Sequence, residues 1–131
     1  AIYLFGGIVS YASKNLKVVA LSSAEAEYAA ASYTCKEIEF IRNVCLDLGY
    51  PIKGKVVLCV DNKAAISIAE NVGVTSKTKH FTDAIHYVRH LIDHNKIKII
   101  FVRTADQKAD GFTKPLSKTV FTEWLKNLHR K

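Results

Sequence analysis

Methionine is absent from all 131 residues, including the first, and nothing near the start has the basic, apolar and small-residue order of a signal peptide. The chain is therefore expected to be cut from a longer protein. Because "AIYLFGGIVSYAS" already reads as strand, the cut is expected to fall inside a domain. No apolar run approaches the ~20 residues that span a bilayer, which excludes a helical membrane anchor. Acidic residues are in deficit. Twelve Asp and Glu stand against nineteen Lys and Arg, and the resulting +7 favours a polyanionic partner such as nucleic acid. Cysteines are few and odd in number, which argues against a disulfide framework. Cys35, Cys45 and Cys59 lie in apolar contexts without metal-ligand spacing and read as reduced core residues of an intracellular protein. No internal repeat or low-complexity tract interrupts the chain, and neither a nucleophile elbow nor an HExxH pattern is present. His86, His90 and His94 recur at i+4 with no acid on their face, and read as a solvated stripe rather than a metal site.

What is present fits one domain with a single core. Ile2 to Phe5 and Ile8 to Ser13 read as a hairpin turning at Gly6-Gly7. A helical pattern from Ser22 to about Leu48 stops at Gly49, Tyr50 and Pro51. Lys55 to Val60 is a short apolar strand ending at Asp61, and Lys63 to Glu70 reads as the helix behind it. Thr82 to His94 is again helical, and Ile97 to Val102 is the last strand. Pro115 is expected to open a final helix whose apolar stripe is Val120, Trp124 and Leu128. The order β-β-α-β-α-α-β-α predicts an α/β or α+β domain with a mixed sheet.

Two glutamates in "SSAEAEYAAA" invite a chemical reading. Ser22 followed three residues later by Glu25 forms a capping box, which gives Glu25 a structural task. At about 100° per residue, Glu25 falls with Ser32, Lys36, Asn43 and Asp47 on the polar side of the helix. Glu27 instead heads the stripe Ala31, Thr34, Ile38, Ile41, Cys45 and Leu48, the face expected to meet the sheet. A carboxylate there must be satisfied by a cation at the rim of the core, by a metal or by hydrogen-bond donors. Asp61 follows an apolar strand at its carboxyl end, where α/β sheets place ligand chemistry, although it also suits the N-cap of the next helix. Asp106 and Asp110 follow the last strand, and either suits a turn or a cap. Brought together, such carboxylates make an oxygen-only set of the kind Mg²⁺ takes, and in a basic protein the fitting reaction is two-metal phosphodiester hydrolysis.

The successive segments "VALSSAEAEYAA", "LCVDNKAAISIA", "SKTKHF" and "ADQKADGFTKPLS" resemble, in order and spacing, the ribonuclease H domain of copia-type LTR retrotransposon Pol polyproteins. The resemblance covers nearly the whole chain. It implies a single RNase H-like domain over residues 1–131, with a mixed β-sheet flanked by helices, that cuts the RNA strand of RNA–DNA hybrids during reverse transcription. It implies Mg²⁺ as cofactor, two ions with Mn²⁺ as the alternative, held by Glu27, Asp61 and Asp110. The family's remaining aspartate, and the central strand that carries it, fall before Ala1, so three of four carboxylates are expected here. Asn62, Lys77, Lys79, His80, Arg89 and Arg103 are the candidate nucleic-acid contacts, on a basic surface that also includes Lys96 and Lys98. The implied partners are the hybrid and the reverse transcriptase domain of the same polyprotein, in the cytoplasm within the element's virus-like particles. The sequence departs from the family in two places. Thr82 and Ala84 replace a usual acid and arginine, which weakens a phosphate contact. Residues 103–108 hold no histidine, which leaves the proton shuttle unassigned. The rival expectation is a non-catalytic or domesticated remnant that binds nucleic acid or a protein partner.

Overall fold

The computed structural model describes residues 1–14, 23–70 and 82–128. The chain is mixed α/β: β1 (Ile2–Leu4), β2 (Gly7–Ser10), α1 (Ser23–Asp47), β3 (Val56–Val60), α2 (Lys63–Glu70), α3 (Thr82–Asp93), β4 (Ile97–Phe101) and α4 (Lys118–Leu128). Two 3₁₀ turns, Thr104–Asp106 and Lys108–Phe112, separate β4 from α4. The order of strands and helices is the one the sequence predicts. Among the described residues the strands form two separate pairs, antiparallel β1–β2 and parallel β3–β4, rather than one mixed sheet, because no strand bridges the pairs. The chain divides into two compact units, Ala1–Asn15 with Arg103–Lys131, and Leu16–Val102. No described helix is long and apolar enough to cross a membrane.

The larger unit is built on α1, which packs against β3, α2 and α3. Its buried residues Tyr28, Ala31, Ser32, Cys35 and Ile38 recur at threes and fours, the spacing of one helical face. Tyr28, Ala31 and Cys35 of this face close a core with Leu58, Val60, Ile85, Val88, Leu91 and Ile97. Each fully buried Ile or Leu there contributes ~1.5–3 kcal/mol. This face is rotated from the expected stripe. Ala31, Ile38 and Cys45 of the expected stripe are buried, but so are Glu25 and Ser32 of the polar side, each 5% exposed, while Leu48, past the end of α1, is 68% exposed. The cause is Tyr28, whose large ring, rather than the small Ala31, sets which side of α1 turns inward.

Helix ends follow their punctuation. At the end of α1, Gly49 at φ 81° lets its N–H reach the Leu46 carbonyl (3.0 Å), and Tyr50 N–H reaches that of Cys45 (2.8 Å). Pro51 then keeps the helix from resuming. Asn95 at φ 56° ends α3 the same way, with its N–H on Ile92 and that of Lys96 on Leu91, both at 2.9 Å. The β3–β4 register runs from Val56↔Ile97 to Val60↔Phe101. Val56 N–H to the Lys96 carbonyl and Val102 N–H to the Val60 carbonyl extend it at both ends.

Alternation along β3 buries Leu58 and Val60 and exposes Val57 and Cys59, so Cys59 is not the core residue expected of it. Cys35, in contrast, is wholly buried, and that burial, with the Glu39 charge adding to it, pushes its thiol up to about 12. Burial likewise pushes Tyr28 up to about 12, against the opposing charge of Arg89. Both groups fold in their neutral forms. Their contribution is complete below the unfolded pKa, near 9.0 for the thiol and 10.0 for the phenol, and is lost as pH rises toward 12. Iodoacetamide is expected to alkylate Cys59 in the native chain and to spare Cys35 until alkali or denaturant opens the core. Equal labelling of both, read by peptide mass spectrometry, would contradict this packing.

In the smaller unit the hairpin turns one residue earlier than expected, on Phe5 (φ 52°) and Gly6 (φ 84°). Positive φ at both central positions is what a tight hairpin turn with the right-handed twist of its strands requires. Pairing of Leu4↔Gly7, Tyr3↔Ile8 and Ile2↔Ser10 leaves Val9 as the extra residue of a bulge. The last helix starts at Lys118 rather than Pro115. Lys114 N–H still bonds back to the Asp110 carbonyl, closing the preceding turn, and the Ser117 carbonyl accepts the first helical bond from Phe121. Of the expected α4 stripe, Leu128 is buried and Trp124 half-buried, but Val120 is 51% exposed.

Candidate active site

Asp61 emerges directly from the carboxyl end of β3 and is half-buried. The cap of α2 is its neighbour. Asn62 Oδ1 accepts from the N–H groups of Ala64 (2.9 Å) and Ala65 (3.3 Å), and the Asn62 carbonyl accepts from Ile66. The structural reading of Asp61 as a cap is thereby removed, and Asn62, a candidate nucleic-acid contact, holds the helix start instead. Asn62→Ala is expected to cost ~1 kcal/mol and Asn62→Asp to keep most of it, as measured by thermal melting. Equal losses in both variants would show that the cap is not what Asn62 supplies.

The strand that delivers Asp61 is anchored from α1. Arg42 donates to the carbonyls of Gly54 (3.1 Å) and Ile52 (3.2 Å) in the loop before β3. Glu39 takes an ion pair from Lys96 at the entrance to β4. At the head of α1 the two glutamates exchange their expected burial. Glu25 is 5% exposed, and Glu27 is half-buried. Glu25 lies three residues before Tyr28 and seven before Ser32, so it caps the buried face; Glu27, four before Ala31, lies at that face's edge. Both residues have interaction partners. Ser22, the other half of the expected capping box, lies outside the described residues.

Asp110 belongs to the smaller unit, in the second 3₁₀ turn. Gln107 opens that turn, accepting on Oε1 from the Ala109 N–H. Lys114 Nζ sits 2.6 Å from Asp110 Oδ2, and the Asp110 carbonyl accepts from Thr113 and Lys114. Asp106 is held by Arg103, Nε to Oδ2 at 2.7 Å on the surface, which suits its turn role.

The remaining candidate contacts divide. Arg103 is exposed. Arg89 is half-buried and its Nε donates to the Ala69 carbonyl (3.3 Å), which makes it a tie between α3 and α2 rather than a free phosphate contact. Lys77, Lys79 and His80 lie outside the described residues. Glu25 is a buried group that its place on the polar side of the helical wheel does not reveal.

Among the described residues no three His, Cys, Asp or Glu side chains are grouped closely enough to hold a metal ion. By type, the carboxylate oxygens of Glu27, Asp61 and Asp110 are donors that a hard divalent ion takes. The exposed His90 and His94 rings lie 4.0 Å apart, tilted by 38°, and among the described residues no third ligand joins them.

Comparison with known proteins adds an independent line. No family model matches the sequence, and no solved structure matches it. The retrovirus-related Pol polyprotein from transposon TNT 1-94 of Nicotiana tabacum is 37% identical over 122 residues, covering 91% of this chain. Those from transposons RE1 and RE2 of Arabidopsis thaliana are each 32% identical over 127 residues, covering 97%. The chain is homologous to a segment of retrotransposon Pol polyproteins. It spans 9% of the length of each of these Pol relatives. Since the RE1 and RE2 matches leave at most a few terminal residues of this chain uncovered, Glu27, Asp61 and Asp110 all lie inside the Pol-related region.

Proposed function

We propose that this Pol segment is a ribonuclease H of the copia type, which hydrolyses the RNA strand of RNA–DNA hybrids made during reverse transcription. The observation that carries the reading is Asp61. It stands at the carboxyl end of a parallel strand, half-buried and relieved of capping by Asn62, in a chain related to Pol over nearly its whole length. Glu27, Asp61 and Asp110 are the residues assigned to the metal. Mg²⁺, when bound, activates water and stabilises the leaving oxygen. The chain's own part is to place carboxylates. The β3–β4 ladder fixes the backbone before Asp61, α1 presents Glu27 at the rim of its buried face, and Gln107 and Lys114 orient the turn bearing Asp110. Its partners under this reading are the hybrid and other segments of the same polyprotein.

One observation favours a second reading, a non-catalytic nucleic-acid-binding remnant: Lys114 already neutralises Asp110. The two are separated by incubating the chain, in its polyprotein context, with an RNA–DNA hybrid labelled on the RNA strand. Mg²⁺-dependent cleavage that chelation stops, with duplex DNA left intact, supports the nuclease. Hybrid binding without cleavage supports the remnant.

A further inference from the structure

The smaller unit concentrates the positive charge. Its 44 residues hold eight Lys and Arg against three Asp and Glu, whereas the other 87 hold eleven against nine. The same unit carries a chain of packed aromatic rings. Tyr11 stacks on Phe112 (5.1 Å, 17°), Phe112 meets Trp124 edge-on (5.1 Å, 83°), and Phe121 stacks on Trp124 (5.6 Å, 28°).

The two outer rings are solvent-facing, Tyr11 at 67% and Phe121 at 44% exposure. Each stacks on the cluster and still keeps much of its surface in solvent. Each also lies three residues from an exposed lysine, Lys14 after Tyr11 and Lys118 before Phe121. Trp124 is held by a 2.9 Å hydrogen bond from Nε1 to the Lys108 carbonyl, which fixes the ring that Phe112 and Phe121 pack against.

We propose that Tyr11 and Phe121 form a stacking platform for single-stranded nucleic acid, with Lys14 and Lys118 tracking its phosphates. Exposed aromatic rings at the two ends of a packed cluster, each close in sequence to a lysine, suit unpaired bases, which offer a π-face whatever their sequence. A duplex keeps its bases stacked on one another and offers only its backbone. An acidic protein partner would be drawn by the charge but would leave the rings without a matching surface. The proposal rests on the reading that this chain handles nucleic acid, and it adds a grip on the unpaired strand, separate from the carboxylates.

The test is fluorescence anisotropy of labelled oligo(dT) and oligo(rU) with the whole chain in a metal-free buffer, alongside the emission of Trp124, the single tryptophan. Binding is expected to both strands, with a change in Trp124 emission. Tyr11→Ala and Phe121→Ala are each expected to weaken it about 10-fold, with Tyr11→Phe close to wild type. Lys118→Ala is expected to lower the slope of log affinity against log salt by about 0.7. Circular dichroism checks that the variants remain folded. Ring variants that bind like wild type, or no binding to either strand, would overturn the platform. Hybrid cleavage measured separately tells the readings apart: lost stacking with cleavage intact removes the platform alone, and absence of both removes the nuclease as well.

Discussion

Glu27→Gln is expected to lower hybrid cleavage by ~10³-fold, the equivalent of several kcal/mol of transition-state stabilisation. The same change should leave the melting temperature nearly unmoved. Glu25→Gln is expected to do the reverse. Glu27 is half-buried at the edge of the α1 core face, so an isosteric amide keeps the packing, and solvent at the rim offsets much of what its partner loses. What it removes is a negative charge at the position assigned to the metal. Glu25 is 5% exposed and partnered. Neutralising it leaves a buried polar contact poorly matched, at a cost of ~1–3 kcal/mol, which in a domain of this size moves the melting point by several degrees. Differential scanning calorimetry and the hybrid assay on both variants decide the matter. If Glu25→Gln abolishes cleavage while Glu27→Gln retains it, the deeper glutamate is the functional one and the assignment made here is wrong.

That contrast marks how far the sequence could be read. Element order was legible because each boundary carries local chemistry: Gly49 and Pro51 after α1, and the acidic turn between β3 and α2. Where two neighbouring residues could do one job, local chemistry did not choose between them. Asp61 and Asn62 are both good caps, and only the hydrogen bonds to Ala64 and Ala65 assign the task to Asn62. Gly6-Gly7 is a good turn pair, yet strand pairing at Leu4↔Gly7 places Phe5 and Gly6 at the corner. The face of α1 was misjudged for a related reason. A wheel weights apolar positions alike, whereas Tyr28, filling space between α1 and α3 with its hydroxyl 3.5 Å from the Ile85 carbonyl, sets the rotation of the helix. Of the candidate site, the identities of Glu27, Asp61 and Asp110 came from motif resemblance. The local supports of two of them, Asn62 beside Asp61 and the Lys114–Asp110 pair, depend on side-chain geometry that no spacing rule encodes.

Gly111→Ala is expected to destabilise the smaller unit by ~1–3 kcal/mol or more, for reasons of space rather than backbone conformation. A Cβ on Gly111 would lie 2.1 Å from Trp124 Cε2 and 2.4 Å from its Nε1. The indole has nowhere easy to go, since its N–H is bonded to the Lys108 carbonyl, Phe121 stacks on it and Phe112 meets it at close to a right angle. Moving it breaks that hydrogen bond and separates the rings, so the emission of the lone tryptophan should shift to the red. Because Gly111 adjoins Asp110 in the same 3₁₀ turn, displacement of the indole also disturbs a residue assigned to the metal. Cleavage is therefore expected to fall along with stability. A double-mutant cycle isolates the cause. Trp124→Ala removes all three ring atoms that the new Cβ meets, so in that background Gly111→Ala should cost little, giving a coupling well beyond the ~0.3–0.5 kcal/mol scatter of independent sites. An additive cycle, with the tryptophan spectrum of Gly111→Ala unchanged, would mean that the turn yields without moving the indole and that the glycine is not held there by the ring.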